Sequence, residues 1–569
     1  MLDRIGGGIL RRATGTGNGH DEARRASTGR LASAAWRSGG LLVLFAGLAA
    51  IMTFPQVLYL GSRVPFHSDP YFSMWRLGWM AHALRHDPAD LFEANIFFPA
   101  HDTFAYSDAM PLPGLLLAPL FWLRSNPVLV YNMALWGGMI LSGLTACHLA
   151  RSLTGDTAAG VIAGVIFAFA PYRFDHYMHL ELQFVFWLPI ALLALHRLVE
   201  RARLQDGLLL GLAIAGQALS CMYAAIFGVV YAGVLLLVLI ALASARPTRS
   251  RLVPLALAAV LVLAVVGPYA LVYARAARTV GTRSLDDIAH YGATWAAYVA
   301  APPMNRLYGS STSSFSSDEL YLFPGAMAVL LSVLGVVTSR SRVRWAYVAA
   351  LVAALELSRG LNGAAYQWLY EHILPFRALR APARSGILVM LSLAMLSAYG
   401  VAWLRRRLAV ERRSFVVPVI LAVLIAEYAS SPTLASVPAA TALDGWLATQ
   451  PAVAVAELPL ASPETNGQSR DWVYMYQGLG HFQRMVNGYS GYPPASYYAM
   501  LDAMQSFPDE RSIAYLRAVP VDYVVLRGGS YTPERWAELV AKVRAHPDLA
   551  FVGGFPEAGR VELVYAVRR

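Results

Sequence analysis

The stretch that decides the fold is Leu41 to Leu60, LLVLFAGLAAIMTFPQVLYL, followed at once by Gly61-Ser62-Arg63-Val64-Pro65-Phe66-His67-Ser68-Asp69-Pro70-Tyr71. An uncharged run of about 20 residues matches the hydrocarbon thickness of a bilayer. It is too long for a signal core, and no small-residue cleavage site precedes the polar loop, so it reads as a first membrane span. Asp69 then falls just outside that span, with His67 two residues before it and Pro70 after it. It is open to two readings. Asp is a good N-cap and Pro a good first helical residue, so Asp69 can open a helix. A carboxylate held just outside the bilayer can equally serve as a general base. Asp102 and Asp108 in the same loop compete for that role.

Composition extends the membrane reading to most of the chain. Its residues are 57% hydrophobic and 14% charged, where soluble domains carry about 25% charged residues. The net charge of +11 comes from short arginine clusters between apolar runs, so no nucleic-acid partner is expected. The only two cysteines, Cys147 and Cys221, lie inside apolar runs, which excludes a disulfide framework or thiolate metal site.

Apolar runs near 41–60, 127–150, 157–171, 181–198, 207–221, 223–244, 252–273, 320–338, 343–357, 384–403 and 414–430 predict about eleven transmembrane helices. Arg151, Arg197 to Arg203, Arg246 to Arg251, Arg340 to Arg344 and Arg405 to Arg413 then all fall on the cytoplasmic side of an alternating path. The run Pro111 to Leu123 is short and Pro-rich and reads as a re-entrant or interfacial arm. Phe72, Trp75 and Trp79 predict an interfacial aromatic face on the helix after Asp69. The domains expected are a basic, disordered cytoplasmic tail (1–40), a polytopic α-helical transmembrane domain (41–430) and a small external α/β domain (431–569). External loops are expected at about 61–126, 274–319 and 358–383.

Arginines in external loops ask for anionic partners. Arg377, Arg380 and Arg384 precede a span that Pro382 helps to start, which predicts a phosphate site at a helix N-terminus. Snorkelling arginines are the alternative. Arg173, His176 and His179 form a second cluster in a tight external loop, with Glu181 and Gln183 after it; two histidines alone make no metal site. Glu319, ahead of Leu320-Tyr321-Leu322-Phe323-Pro324-Gly325, reads either as a helix cap or as a carboxylate orienting an acceptor, a metal or Arg384. His481-Phe482-Gln483-Arg484 and the aromatic stretch Gly488 to Tyr498 read as a functional surface loop or as packing of a small core.

Several phrases carry a resemblance. They are Phe169-Ala170-Pro171-Tyr172-Arg173 with His176 and His179, Glu319 with Phe323-Pro324-Gly325, and Phe376-Arg377 through Arg384. Glu457-Leu458-Pro459-Leu460 and His481 through Asn487-Gly488-Tyr489-Ser490-Gly491-Tyr492-Pro493-Pro494 complete the set. Over nearly the whole chain after Gly40 the sequence resembles a bacterial subgroup of the GT-C superfamily of integral-membrane glycosyltransferases.

That resemblance implies inverting transfer from a polyprenyl-phosphate sugar donor to an acceptor hydroxyl at the external face. Asp69 would be the general base, and Arg377, Arg380 and Arg384, with Arg173, would hold the phosphate. His67, His176, His179, Glu319, His481 and Arg484 are the further candidate substrate-binding residues. No metal ligands are assigned. The single Asp-Pro motif, in place of the Asp-Glu pair of some branches, leaves a divalent metal ion open. The implied home is a bacterial inner membrane, with a cytoplasmic N-terminus and a periplasmic C-terminal domain. The acceptor, whether glycan, lipid or protein, is not specified. A flippase of lipid-linked sugars predicts midplane charges and inverted repeats, which the spans lack; an inactive GT-C-like scaffold is the remaining alternative.

Overall fold

The computed structural model describes residues 39–243, 249–460, 470–557 and 560–569. The basic tail 1–40, except its last two residues, and Arg246 of the Arg246 to Arg251 loop lie outside them.

Each of the eleven apolar runs contains a helix. Among the described residues six helices are long and apolar enough to cross a membrane: Pro127–Thr154, Thr157–Asp175, Leu180–Arg201, Met222–Leu242, Ser250–Val280 and Pro382–Arg407. Gly39–Met52 and Ala326–Thr338 are shorter apolar helices. Leu204–Ala218 and Arg344–Arg359 run 15 and 16 residues, and Val410–Tyr428 opens on Glu411, Arg412 and Arg413. Length and composition therefore qualify six spans, where the sequence reading expects about eleven. The arm Pro111–Trp122 is a 12-residue helix, about 18 Å long at the α-helical rise and short of a bilayer core.

Local sequence sets the boundaries. Gly155, at φ +73°, closes the helix Pro127–Thr154, and the Asp156 carboxylate then accepts from the amides of Ala158 and Ala159 to start the next. Small residues set the packing. A Cβ at Gly335 would lie 2.0 Å from the Leu396 carbonyl and one at Gly400 2.2 Å from that of Leu331, so the helices Ala326–Thr338 and Gly386–Arg407 meet backbone to backbone.

The amphipathic reading of the helix Asp69–His86 needs correction. Phe72, Trp75 and Trp79 are buried, the Trp75 indole N–H donates to Asn95 and that of Trp79 to the Leu91 carbonyl. Their stacked faces form core with the C-terminal part of the chain, because the first loop folds back over the helix and covers the face a lipid interface would have covered. The loop expected from residue 274 begins later, since the preceding helix continues to Val280.

Two short strands, β1 (Arg63–Pro65) and β2 (Leu434–Ser436), pair antiparallel and tie the first loop to the chain leaving the helix Val410–Tyr428. Beyond them, β3 (Ala454–Leu458), β4 (Arg484–Met485), β5 (Tyr523–Arg527), β6 (Leu549–Glu557) and β7 (Arg560–Val567) form one sheet in the order β4-β3-β5-β7-β6. β4, β3 and β5 run parallel, and β7 is antiparallel to β5 and β6. This lobe is bonded to the first loop through its backbone: the amides of Phe97 and Phe98 donate to the carbonyls of Asn487 and Met485, and that of Met485 to Asn95.

Candidate active site

A cavity of about 470 Å³ opens at one end of the helix bundle. Its wall combines the start of the helix Asp69–His86, the first residues of the span Met222–Leu242, the turn Leu379 to Arg384 before the span Gly386–Arg407, and the lobe segment Tyr489 to Tyr492. Ala105 to Asp108, His179 and Glu181, Tyr273, Arg283 and Glu319 complete it, so segments distant in sequence meet at one site.

Asp69 is the first residue of its helix, behind an N-cap Ser68 that makes no capping bond. The Asp69 side chain does not cap either. One carboxylate oxygen lies 3.0 Å from His179 Nε2, and the other accepts from the Tyr489 hydroxyl at 2.9 Å. His67 Nδ1 stands 3.8 Å away, and the Ser68 hydroxyl donates to the Tyr489 oxygen at 3.0 Å. Burial pushes the Asp69 carboxyl upward, but the hydrogen bond and charge of His179, with His67 and Tyr489 behind, outweigh it and hold Asp69 well below the usual carboxylate range. Burial lowers His67, and the neighbouring Asp69 charge opposes that shift.

On the facing wall, the two oxygens of Glu319 bridge Arg380 and Arg384, each at 2.9 Å. Burial raises Glu319, and Arg384, His179 and Arg380 together hold it far below its ordinary value. Glu319 caps no helix: the following one starts seven residues on, at Ala326. Its free amides are met by Glu427, which accepts from Ala326 at 2.7 Å and Met327 at 3.2 Å. Arg384 sits in the 3₁₀ turn Pro382–Ser385 that leads into its span, and its guanidinium lies over the Tyr223 ring.

Deeper in, the Arg76 guanidinium pairs with Glu181 at 2.8 Å and donates to the Asp108 carbonyl. The Asp108 carboxylate accepts from the Met222 amide at 2.7 Å, satisfying the start of that span. Burial and the neighbouring Glu181 charge push Asp108 up to about 6. At the mouth, Arg283 donates to the Gly491 carbonyl and lies over the Tyr492 ring, whose hydroxyl donates to Ala378.

The cavity brings together Asp69, His67, His179, Glu319, Arg380 and Arg384. It leaves out the others. Arg173 is buried in the protein, donating to the carbonyls of Leu182 and Gln183, so it closes its own loop and cannot reach a phosphate. His176 is buried next to it, away from the cavity wall. Arg377 turns back onto the carbonyls of Tyr370 and Glu371. His481 accepts from the Gln483 amide within the lobe, and Arg484 lies over Phe98. Asp102 pairs with Arg275 outside the site. Among the described residues no group of three or more metal-ligating side chains is placed to hold a metal ion.

Residues to which the sequence reading gave no role of their own complete the site: Arg76, Tyr489 and Arg283. Arg76 had a usable signal, since it follows Asp69 by seven residues and so shares its helix face. Tyr489 lies in the stretch Gly488 to Tyr498 singled out from the sequence, but nothing in the sequence pairs it with Asp69, 420 residues away. It is positioned by Asn487, whose amide group bonds both ways with the Glu457 backbone and also donates to Asp471. Beneath it, Arg527 is buried against Glu457, Glu562 and Asp444.

No protein-family model matches the sequence, and no curated protein matches it. Solved structures do. The arabinofuranosyltransferase AftD from Mycobacteria superposes with a TM-score of 0.63 over 94% of this chain at 16% identity. The chain spans 40% of the length of that protein. Weaker likenesses are the oligosaccharyltransferase AglB from Archaeoglobus fulgidus (TM-score 0.46, 13% identity, 93% of this chain and 74% of that one) and ArnT from Cupriavidus metallidurans bound to undecaprenyl phosphate (TM-score 0.44, 13% identity, 93% and 98%). The chain has a GT-C-like fold.

Proposed function

We propose that the protein is a membrane glycosyltransferase that moves a sugar from a polyprenyl-phosphate donor to an acceptor hydroxyl, with inversion at the anomeric carbon. The observation that carries this is one cavity holding an ionised carboxylate, Asp69, and an arginine pair, the half-buried Arg380 and the buried Arg384. The fold likeness to an arabinofuranosyltransferase supports the same class.

A single displacement needs a base on the acceptor and a charge sink on the leaving phosphate. Asp69 orients the acceptor hydroxyl by accepting its hydrogen bond. Its depressed pKa makes it a weak base, so it takes the proton late, once the attacking oxygen has become acidic through bond formation to the sugar. The bond from the anomeric carbon to the phosphate oxygen breaks in the same step, and Arg380 and Arg384 stabilise the charge that collects on the phosphate. The Nδ1 of His179 is buried without a partner, so that side chain serves Asp69 through Nε2 and holds its orientation. We place the cavity and the lobe 431–569 on the periplasmic side of a bacterial inner membrane, with the N-terminus cytoplasmic.

The test is transfer or slow hydrolysis of polyprenyl-phosphate pentoses and hexoses by the full chain in liposomes. Asp69→Asn is expected to lower turnover by roughly 10²–10⁴-fold with donor binding retained. Unchanged turnover would move the base to another residue, Asp108 first. Neither binding nor turnover by the wild type would reject the enzyme.

A further inference from the structure

The arginine pair is already occupied. Glu319 holds both guanidiniums, and it does so from a backbone at φ +65°, a left-handed conformation that a non-glycine residue keeps only when its surroundings over-determine it. The over-determination is visible. Glu319 Oε1 bonds Arg380, Oε2 bonds Arg384 through both Nε and Nη2, and its side chain is mostly buried. A carboxylate that satisfies two arginines this completely presents the chemistry of the anion the site is built to take.

The cavity is lined by four arginines, Arg76, Arg283, Arg380 and Arg384, and by four carboxylates, Asp69, Asp108, Glu181 and Glu319. Its arginines and carboxylates therefore balance, and the pair with Glu319 carries one positive charge. A sugar phosphodiester of a lipid brings one negative charge and matches it. A lipid diphosphate brings at least one more, and that charge lies against Glu319 in a partly desolvated site where like charges repel strongly.

We propose that Glu319 is the specificity-determining residue of the anion site, a resident counter-charge that selects a lipid monophosphate over a lipid diphosphate. This rests on the phosphate role proposed above for Arg380 and Arg384. It adds that the nearest carboxylate opposes anion binding and grades it by charge.

The experiment compares binding of an undecaprenyl-phosphate sugar (one negative charge) and an undecaprenyl-diphosphate sugar (two) to the full chain in nanodiscs, for the wild type, Glu319→Gln, Glu319→Asp and the double variant Arg380→Gln/Arg384→Gln. Glu319→Gln keeps size and hydrogen-bonding capacity and loses the charge. It is expected to tighten diphosphate binding by about tenfold, from removal of one like charge at close range, and monophosphate binding by clearly less. Glu319→Asp keeps the charge and is expected to keep the wild-type preference, which separates charge from packing. If Glu319→Gln leaves the ratio of the two affinities unchanged, or weakens both, Glu319 merely props the arginines and the inference is wrong. If the double arginine variant binds both lipids like the wild type, the phosphate site itself is misplaced and the proposed function loses its donor subsite.

Discussion

Asp69 and Asp108 are two carboxylates of one loop in one cavity, and their surroundings drive them apart. Asp69 faces His179, His67 and a tyrosine hydroxyl and stays ionised. Asp108 sits beside Glu181 and is pushed up to about 6 by burial and that charge. Below that value Asp108 is neutral; as pH rises through it the cavity gains a negative charge and repels an anion. Binding of a lipid phosphodiester, whose own charge is constant over this range, is therefore expected to tighten as pH falls from 7 to 5. Asp108→Asn keeps an acceptor for the Met222 amide and should flatten that pH dependence in a binding titration. A dependence that persists unchanged in the variant would assign it to another group. Asp69 lies too far below this range to contribute. Asp69 and the Arg380–Arg384 pair were legible in the sequence because an acidic or basic side chain just outside an apolar run has few structural reasons to be there. Arg173 misled for the same reason: its position resembled that of the other arginines, and only the fold shows its guanidinium spent on two backbone carbonyls.

At the scale of the element, helix starts and loop approaches hold the site in place. The helix Ala326–Thr338 is capped from afar by Glu427, near the end of another helix. Glu427→Ala would leave those part-buried amides without their acceptor, at a cost of about 1 kcal/mol, and is expected to lower the melting temperature in detergent, while Glu427→Gln recovers much of it. The lobe segment that carries Tyr489 depends on a close approach at Gly488, where a Cβ would lie 2.6 Å from the Phe97 ring. Gly488→Ala is expected to cost about 1–3 kcal/mol of stability and to lower turnover more than Tyr489→Phe does, because it displaces the whole segment. Equal losses in the two variants would show that the hydroxyl alone matters. Runs of apolar residues made the helices readable. Caps supplied by residues a hundred positions away were not, since capping signals are local in sequence only when the cap is the neighbouring residue.

For the whole molecule, the cavity lies at one end of the bundle, and the expected membrane orientation has a direct test. Cys147 and Cys221 are both buried, so a single introduced cysteine reports without background. Ser490→Cys, at the cavity mouth, is expected to react with a membrane-impermeant thiol reagent in cells with an opened outer membrane. Arg412→Cys, at the other end, should react only after the inner membrane is permeabilised. The opposite pattern would invert the topology. By itself the sequence determined that this chain is a bundle of apolar helices with its chemistry gathered in the connecting segments, because burying charge in hydrocarbon is expensive enough to write itself into composition. It also named Asp69, Glu319, Arg380 and Arg384. Only the tertiary structure decided which charges meet: that Glu319 neutralises the arginines instead of capping a helix, that Arg76 and Glu181 pair at the cavity floor, and that a tyrosine 420 residues away completes the site around Asp69. Hydrophobic burial is read one segment at a time, but a hydrogen bond between distant segments exists only once the chain has folded to bring its two ends together.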